Sequence, residues 1–247
     1  MTRPKDRQRF IILAEQRTGS CHLEYLLDSH ERAKVAGELF NPSYDHSARE
    51  VMVQGFSHLR REDPIGYLEA FFSQPLAEPT SHIGFRLFYS HAQAEEQRDI
   101  WAHLQDMTGL KVIHLQRKNL LKNLLSLRLA ESSSIWMTEK GAPTPTYEPV
   151  SLGFDECLLH FQTREAEIKR VTDFFRSSPT VDVFYEDLVT EERAQRDRIL
   201  GFLGLEPQSL SSKIVKQNRR GLSESIANYL EIKTSFADTT WARFFEE

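Results

Sequence analysis

The sequence is poor in cysteine and has no long hydrophobic run. Cys21 and Cys157 are the only cysteines among the 247 residues, and no CxxC pair occurs. This argues against a disulfide framework and against a thiolate metal site. The apolar run from Phe10 to Ala14 follows a basic start but is much too short for a signal sequence or a membrane span. We therefore expect a cytoplasmic protein that does not span a membrane.

The chain also has no large excess of charge of either sign. Its 31 basic and 36 acidic side chains give a formal net charge of -5, and the two signs are mixed along the sequence. Such a balance provides no overall field that would hold a polyanion such as DNA, so we expect no nucleic-acid partner. Any binding site for a small anion must therefore be local.

Short apolar, β-branched runs alternate with segments of helical spacing over most of the chain. The runs start near residues 10, 84, 111 and 181, and each is followed by a predicted helix. Thr190 is the expected N-cap of the last of these helices, and Gly204 is its expected end. This alternation is typical of an α/β fold with a mostly parallel sheet flanked by helices. With 40% apolar residues, we expect one such domain over residues 1–247.

Ligands in parallel α/β folds bind beyond the carboxyl ends of the strands. The first such loop, Gln16 to His22, contains a glycine, two hydroxyl groups and Arg17. Gly19 permits close backbone approach, and the N–H groups at the helix start carry about half a positive charge toward an anion. The lysine and the first glycine of GxxxxGK[ST] are missing, which argues against a Walker A loop. Taken alone, the loop is more simply explained as a turn in which Ser20 caps the helix and Arg17 points to water.

A second basic site follows the third predicted strand. Arg117 lies at the end of that strand, and Ser126 lies nine residues further on, about two and a half helical turns away. An arginine at the turn and a hydroxyl along the next helix suit a second phosphate. The leucines around Ser126 are typical of an amphipathic helix with a buried apolar face, but that face does not explain Arg117.

Three segments together resemble the sulfotransferase family that uses 3'-phosphoadenosine 5'-phosphosulfate (PAPS). They are QRTGS at 16–20, the pattern LxRxNLL(x)4S at 115–126, and VFYEDL at 183–188. The likeness is greatest to bacterial carbohydrate sulfotransferases of the nodulation-factor and trehalose type, which share the RxN(x)6S spacing and a GELF-like segment. The resemblance implies a P-loop-like α/β fold. It also implies transfer of a sulfuryl group from PAPS to a hydroxyl of a carbohydrate or glycolipid, with 3'-phosphoadenosine 5'-phosphate (PAP) as product.

The resemblance assigns roles to residues of both loops. The first loop would hold the 5' side of PAPS, Arg117 and Ser126 the 3'-phosphate, and Tyr185 would approach the adenine. Arg219 and Arg220, with Lys216, would close over the 3'-phosphate. The implied cofactor-binding residues are Arg17, Thr18, Gly19, Ser20, Cys21, His22, Arg117, Ser126, Tyr185, Arg219 and Arg220. Tyr185 is equally typical of a core residue at a strand end, and the basic cluster at 216–220 of a solvated face.

The sequence departs from eukaryotic cytosolic members of the family at two points. Those proteins space the arginine and serine eight residues apart, so Lys118 could share the role given to Arg117. They also have threonine and tryptophan where this chain has Cys21 and His22, so stacking of adenine on that tryptophan is not available here.

Sulfuryl transfer requires stabilisation of charge on the leaving phosphate and removal of a proton from the acceptor hydroxyl. Arg17 is expected to stabilise the charge. Glu38, in VAGELFN, corresponds to a glutamate proposed as base in trehalose-type relatives, and His91 is the alternative base. Arg86 is a candidate for contact with the sulfate. None of the nine histidines shows metal-ligand spacing, so we expect no metal.

Two other functions stay open at the level of sequence. One is a nucleotide or small-molecule kinase, and the other is a non-catalytic nucleotide-binding protein that has kept the fold. A small-molecule or glycan acceptor is expected to be bounded by segments 41–72 and 132–153, whose aromatic residues include Tyr67, Trp136 and Tyr147. The acceptor itself is not identified. The oligomeric state also stays open, with a homodimer as one alternative, because the apolar helix at 120–129 could serve an interface.

Overall fold

A five-stranded sheet forms the centre of the computed structural model, which describes residues 7–41 and 59–246. The strands are Gln8–Ala14 (β1), Ala33–Glu38 (β2), His82–Phe88 (β3), Lys111–Gln116 (β4) and Thr180–Phe184 (β5). Their order is β2-β3-β1-β4-β5, and all four pairings are parallel. The prediction of an α/β fold with a mostly parallel sheet flanked by helices is therefore confirmed.

Helices cover both faces of this sheet. Those of the described residues are Ser20–Asp28 (α1), Leu59–Glu62 (α2), Pro64–Ser73 (α3), Asp99–Asp106 (α4), Leu120–Ser133 (α5), Phe154–Phe174 (α6), Tyr185–Thr190 (α7), Glu192–Leu203 (α8), Leu222–Ser225 (α9) and Tyr229–Ser235 (α10). Short 3-10 turns lie at Glu95–Gln97 and Ala242–Phe245. Between α5 and α6 the described chain is irregular, and this segment is rich in proline and small polar residues.

The side chains of β1 alternate between two cores, one on each face of the sheet. Phe10 and Ile12 pack with α1 and α8, whereas Ile11 and Leu13 pack with α3, α4 and α6. All four are fully buried, as expected for a central parallel strand that is covered on both sides. This burial fixes the end of β1, and with it the start of the loop that follows.

A third apolar cluster joins α5, α6 and α10 to the residues near 244. The leucines of α5 belong to it, and Leu121, Leu124 and Leu129 are at most 3% exposed. The apolar face of α5 therefore packs within the chain. A homodimer stays one alternative for the oligomeric state.

Some predicted boundaries were wrong. Strand β2 was not identified, because its sequence AKVAGE offers little of the β-branched or aromatic signal. Tyr185 begins a short helix rather than ending a strand. Thr190 is the last residue of that helix and donates a hydrogen bond to the Glu186 carbonyl (3.0 Å), so it does not cap α8. Gly204 ends α8 with φ of 84°, as predicted.

Candidate functional site

One cavity of about 540 Å³ is lined by residues that follow three neighbouring strands. Arg17 follows β1, Arg117 follows β4, and Tyr185 follows β5. This is the edge of a parallel sheet at which ligands bind. Ten of the twelve site residues predicted from the sequence line the cavity, namely Arg17, Gly19, Ser20, Cys21, His22, Arg117, Ser126, Tyr185, Arg219 and Arg220. Thr18 and Glu38 are not among the lining residues.

Positive charge is concentrated around this cavity. Six basic side chains line it and a single acidic one, Glu192; the basic residues are Arg17, Arg117, Lys122, Lys216, Arg219 and Arg220. Burial lowers the pKa of Lys216, and the neighbouring Arg117, Lys122 and Arg219 lower it further. The chain as a whole has a net charge of -5, so this cluster creates a positive potential only locally. A polyanionic ligand would neutralise the charges of the cluster.

The N-terminus of α1 opens the loop after β1. Gly19 is the N-cap, with φ of 85° and no side chain that could accept from the first N–H groups of the helix. The Ser20 hydroxyl lies 3.2 Å from Nη1 of Arg86 and does not cap the helix, so the simpler sequence interpretation of this turn is wrong. Uncapped N–H groups at a helix start bind anions.

Gly19 also allows Tyr185 to pack on the loop. A Cβ at position 19 would lie 2.3 Å from Cδ2 of the Tyr185 ring, which is closer than atoms can approach. The Arg117 guanidinium lies over the same ring, 5.2 Å from its centroid. Tyr185 therefore joins the two predicted loops, and burial raises the pKa of its phenol.

Arg17 spans the cavity and does not point to water. Its Nε donates to Oγ of Ser126 at 3.0 Å, while its other nitrogens donate to the Trp136 carbonyl and the Gln217 side chain. Arg17 and Ser126 were assigned to opposite ends of one ligand, and the structure brings them into contact. Gln217 was not identified from the sequence.

Arg117 supports the backbone of the first loop. Its Nη1 donates to the Arg17 carbonyl at 3.1 Å, and its Nε lies 3.6 Å from Oε1 of Glu186. Lys118, the alternative for this role, pairs with Asp187 and is half exposed outside the cavity. Of Arg117 and Lys118, it is therefore Arg117 that contacts the first loop.

Thr18 and His22 differ in how they meet the cavity. The Thr18 hydroxyl donates to the Glu15 carbonyl at 2.7 Å, so this side chain holds the turn together. His22 lines the cavity, and burial lowers its pKa, which favours the neutral imidazole. Arg219 and Arg220 are exposed at the rim, where Arg220 donates to the Tyr147 carbonyl.

Glu38 lies at the end of β2, beside the cavity. A bulge in the pairing of β2 with β3 sets Glu38 opposite Arg86, and Oε1 of Glu38 lies 3.0 Å from Nη1 of Arg86. The same Nη1 contacts Ser20 and the Cys21 sulfur, both of which line the cavity. Arg86 thus connects the candidate base to the anion loop. This buried arginine was only a candidate sulfate contact in the sequence.

His91 is poorly suited to act as the base. Its Nδ1 accepts from the Phe88 backbone N–H at 3.2 Å, so the proton is on Nε2, which lies 3.6 Å from Oε2 of Glu38. Burial, together with Arg86, lowers the pKa of His91 to about 3. A neutral imidazole whose lone pair is already used can orient Glu38 but cannot take up a proton from an acceptor.

The stability of the protein is expected to depend on pH through His91. The folded pKa of about 3 lies below the ordinary 6.5, so between these values the unfolded chain binds one more proton. The free energy of unfolding is therefore not reduced by His91 above pH 6.5, and it falls as the pH drops from 6.5 toward 3. In His91→Gln, the free energy of unfolding should therefore fall less steeply from pH 6 to pH 4, by about 1.4 kcal/mol per unit. Urea unfolding at several pH values measures both slopes, and equal slopes would contradict this account.

Replacement of Arg86 should destabilise the fold strongly. Arg86 is 3% exposed, and its Nε lies 2.5 Å from Oε2 of Glu24, in addition to its contact with Glu38. Arg86→Met leaves two carboxylates without their cation, which typically costs about 3–5 kcal/mol. Urea unfolding measures the loss. Arg98→Met is the control, because the Arg98–Asp99 pair is exposed, and it should change the free energy of unfolding by less than about 1 kcal/mol.

The aromatic residues predicted near the acceptor fall into different environments. Trp136 and Met137 line the cavity and are 50% and 46% exposed. Tyr147 lines it too but is mostly buried, and Tyr67 belongs to the core between the sheet and α3. Residues 42–58 of the predicted acceptor segment lie outside the described residues.

In residues 7–41 and 59–246, no helix is long and apolar enough to cross a membrane. This part of the chain contains no cluster of three or more histidine, cysteine, aspartate or glutamate side chains that could hold a metal ion.

Comparisons with known proteins give three relatives that match nearly the whole chain, all of them nodulation protein H. Nodulation protein H of Rhizobium tropici is 33% identical over 241 residues, which cover 96% of this chain and 92% of the relative. Nodulation protein H of Rhizobium meliloti (strain 1021) is 30% identical over 246 residues, which cover 97% and 95%. No family model matches. Among solved structures, a sulfotransferase from Alicyclobacillus acidocaldarius is similar with a TM-score of 0.49 and 14% identity, covering 94% of this chain and 92% of that one.

Proposed function

The chain belongs to the nodulation protein H family of sulfotransferases, and from this we propose that it transfers the sulfuryl group of PAPS to a hydroxyl of a carbohydrate acceptor. The observation that carries the proposal is the cavity that six basic residues and the uncapped start of α1 line. PAPS has three anionic groups, and a cavity of this charge suits such a ligand. The kinase and the non-catalytic binding protein considered from the sequence are set aside, because this is a sulfotransferase family.

The donor is proposed to lie across the cavity between the two loops. The start of α1 and Arg17 would hold the 5'-phosphosulfate, and Arg117 with Ser126 the 3'-phosphate. Tyr185 and His22 would lie near the adenine. Arg219 and Arg220 at the rim would add charge next to the 3'-phosphate. The contact of Arg17 with Ser126 supports a short distance between the subsites for the 5'-phosphosulfate and the 3'-phosphate.

Arg17 is proposed to stabilise the leaving group. PAPS supplies an activated sulfuryl group whose S–O bond to phosphate breaks, with the electron pair passing to the bridging oxygen. The Arg17 guanidinium has three hydrogen bonds within the protein, to Ser126, Trp136 and Gln217. It can exchange them for oxygens of the ligand, and burial strengthens its effect on charge that forms nearby.

Glu38 is proposed to take the proton from the acceptor hydroxyl as its oxygen forms the new bond to sulfur. Arg86 and the Nε2–H of His91 orient the Glu38 carboxylate from two directions. The acceptor would then enter beside Glu38 and pass Trp136, whose half-exposed ring suits a sugar face. A carbohydrate acceptor follows from the family, and a glycolipid is compatible with the same surface.

We further propose that the sulfotransferase domain extends over residues 1–247. The cysteine usage of the chain, with Cys21 and Cys157 both free, supports a cytoplasmic site of action.

Transfer of ³⁵S from labelled PAPS to a panel of neutral oligosaccharides, in the absence of magnesium, tests the proposal. We expect label in at least one glycan. Transfer of ³²P from labelled ATP to the same glycans, with magnesium present and without any transfer from PAPS, would overturn the proposal in favour of a kinase.

A further inference from the structure

The anion loop contains a strained residue. Arg17 has φ of 63°, a left-handed backbone conformation that side chains with a Cβ rarely adopt. Such a conformation is strained and persists only where the surrounding structure holds it in place. The contacts that hold this turn therefore determine whether the loop can bind an anion.

Two carbonyl groups of the turn are held by side chains that follow β4. Nδ2 of Asn123, on α5, donates to the Gln16 carbonyl at 2.9 Å, and Nη1 of Arg117 donates to the Arg17 carbonyl at 3.1 Å. In a planar trans peptide, the N–H points opposite to the carbonyl. Asn123 therefore sets the direction of the Arg17 N–H, and Arg117 sets that of the Thr18 N–H.

Asn123 is itself oriented by a histidine. It is 3% exposed, and its Oδ1 lies 3.0 Å from Nε2 of His160 on α6. Because an amide oxygen can only accept, His160 donates to it, and the Asn123 NH₂ group is turned toward Gln16. The result is one chain of donors that runs from α6 through α5 to the strained turn.

Helix α6 holds the loop at a second point. Nη1 of Arg164 lies 2.8 Å from Oε2 of Glu15, and Oε1 of Glu15 accepts from the Gln16 N–H at 2.8 Å. His160 and Arg164 are four residues apart, which places them on one face of α6. Helix α6 therefore fixes both peptide groups that flank Gln16, one through Glu15 and the other through Asn123. Neither His160 nor Arg164 lines the cavity.

We propose that Asn123, oriented by His160, is a positioning residue that holds the anion loop in its binding conformation. This inference rests on the proposed function only because PAP is taken as the ligand. Without this hydrogen bond the turn can relax, and affinity falls by the fraction of molecules that keep the competent conformation. Asn123 itself does not line the cavity.

The test is calorimetric titration of the wild type and Asn123→Asp with PAP. The aspartate cannot donate to the Gln16 carbonyl and repels it, so we expect binding to weaken about tenfold or more. The KM for PAPS should rise by a similar factor while the KM for the acceptor stays unchanged. A purely structural role would not separate the two constants.

Asn228→Asp is the matched control. Nδ2 of Asn228 donates to the Leu152 carbonyl at 2.9 Å, and its Oδ1 accepts from the Leu152 N–H, but neither residue lines the cavity. This variant loses the same kind of bond and should keep the wild-type affinity for PAP. Equal affinities of folded Asn123→Asp and wild type would overturn the inference.

A second pair of variants keeps the inference testable if Asn123→Asp does not fold. His160→Gln retains an N–H donor for Asn123 and should bind PAP like the wild type, whereas His160→Leu should bind several-fold more weakly. Equal affinities for these two would also overturn the inference. Failure of the wild type to bind PAP would instead count against the proposed function, so the two failures are distinguishable.

Discussion

Arg17→Ala lowers kcat for sulfuryl transfer by about 100- to 1,000-fold, the usual cost of losing a donor at the position of developing charge. The reason is the position of the guanidinium, which spans the cavity and touches Ser126 at 3.0 Å. Steady-state rates with saturating PAPS and acceptor measure the effect. Arg17→Lys should recover part of the rate, because it restores the charge but not the fork geometry.

The control for this variant is Arg128→Ala. Arg128 is exposed on α5, pairs with Glu131 and Glu156, and does not line the cavity. It should leave kcat unchanged. A kcat for Arg17→Ala within about threefold of the wild type, in a folded protein, would remove Arg17 from the chemical step.

Glu38→Gln should lower kcat by about 100- to 10,000-fold, because a general base typically contributes that much. The amide keeps the size of the side chain and an oxygen for Arg86, but it cannot accept the proton of the acceptor. The affinity for PAP should stay close to that of the wild type, since Glu38 does not line the donor cavity. Rates at saturating acceptor, with calorimetry on the same preparation, measure both quantities.

Glu24→Gln separates catalysis from the loss of a charge next to Arg86. Glu24 lies on α1 and is 2% exposed. It contacts Arg86, as Glu38 does from β2. Both variants remove one negative charge from the same arginine and should destabilise the fold. Only Glu38→Gln should abolish most of the activity, and an equal loss of kcat in both would assign the effect to Arg86.

Many residues that line the cavity could be predicted, because they come directly after strands that pair side by side in the sheet. Arg17 and Arg117 stand at the carboxyl ends of β1 and β4, and parallel pairing of these strands brings both ends to one edge. The spacing from Arg117 to Ser126 places the Ser126 hydroxyl on the side of α5 that faces the cavity, where Arg117 also lies. Such local patterns survive folding, since strands and helices keep their periodicity.

The contacts that hold the site could not be predicted, because they join residues distant in sequence. Asn123 has the spacing of a polar residue on an amphipathic helix, yet it binds Gln16, 107 positions earlier. Arg86 was a candidate sulfate contact in the sequence, but its pairing with Glu38 depends on the bulge at the end of β2. Helix α6 went unnoticed, and with it the role of His160. These are packing relations, and no short pattern encodes them.

Calorimetric titration with PAP, without magnesium, tests the central claim most directly when the wild type and Arg117→Ala are compared. Arg117 lines the cavity and holds the Arg17 carbonyl, so its loss removes both a cation and a support of the loop. We predict one PAP bound per wild-type chain and binding at least about 30-fold weaker in the variant. Absence of binding to the wild type, or equal binding by both proteins, would contradict the assignment of this cavity to the sulfuryl donor.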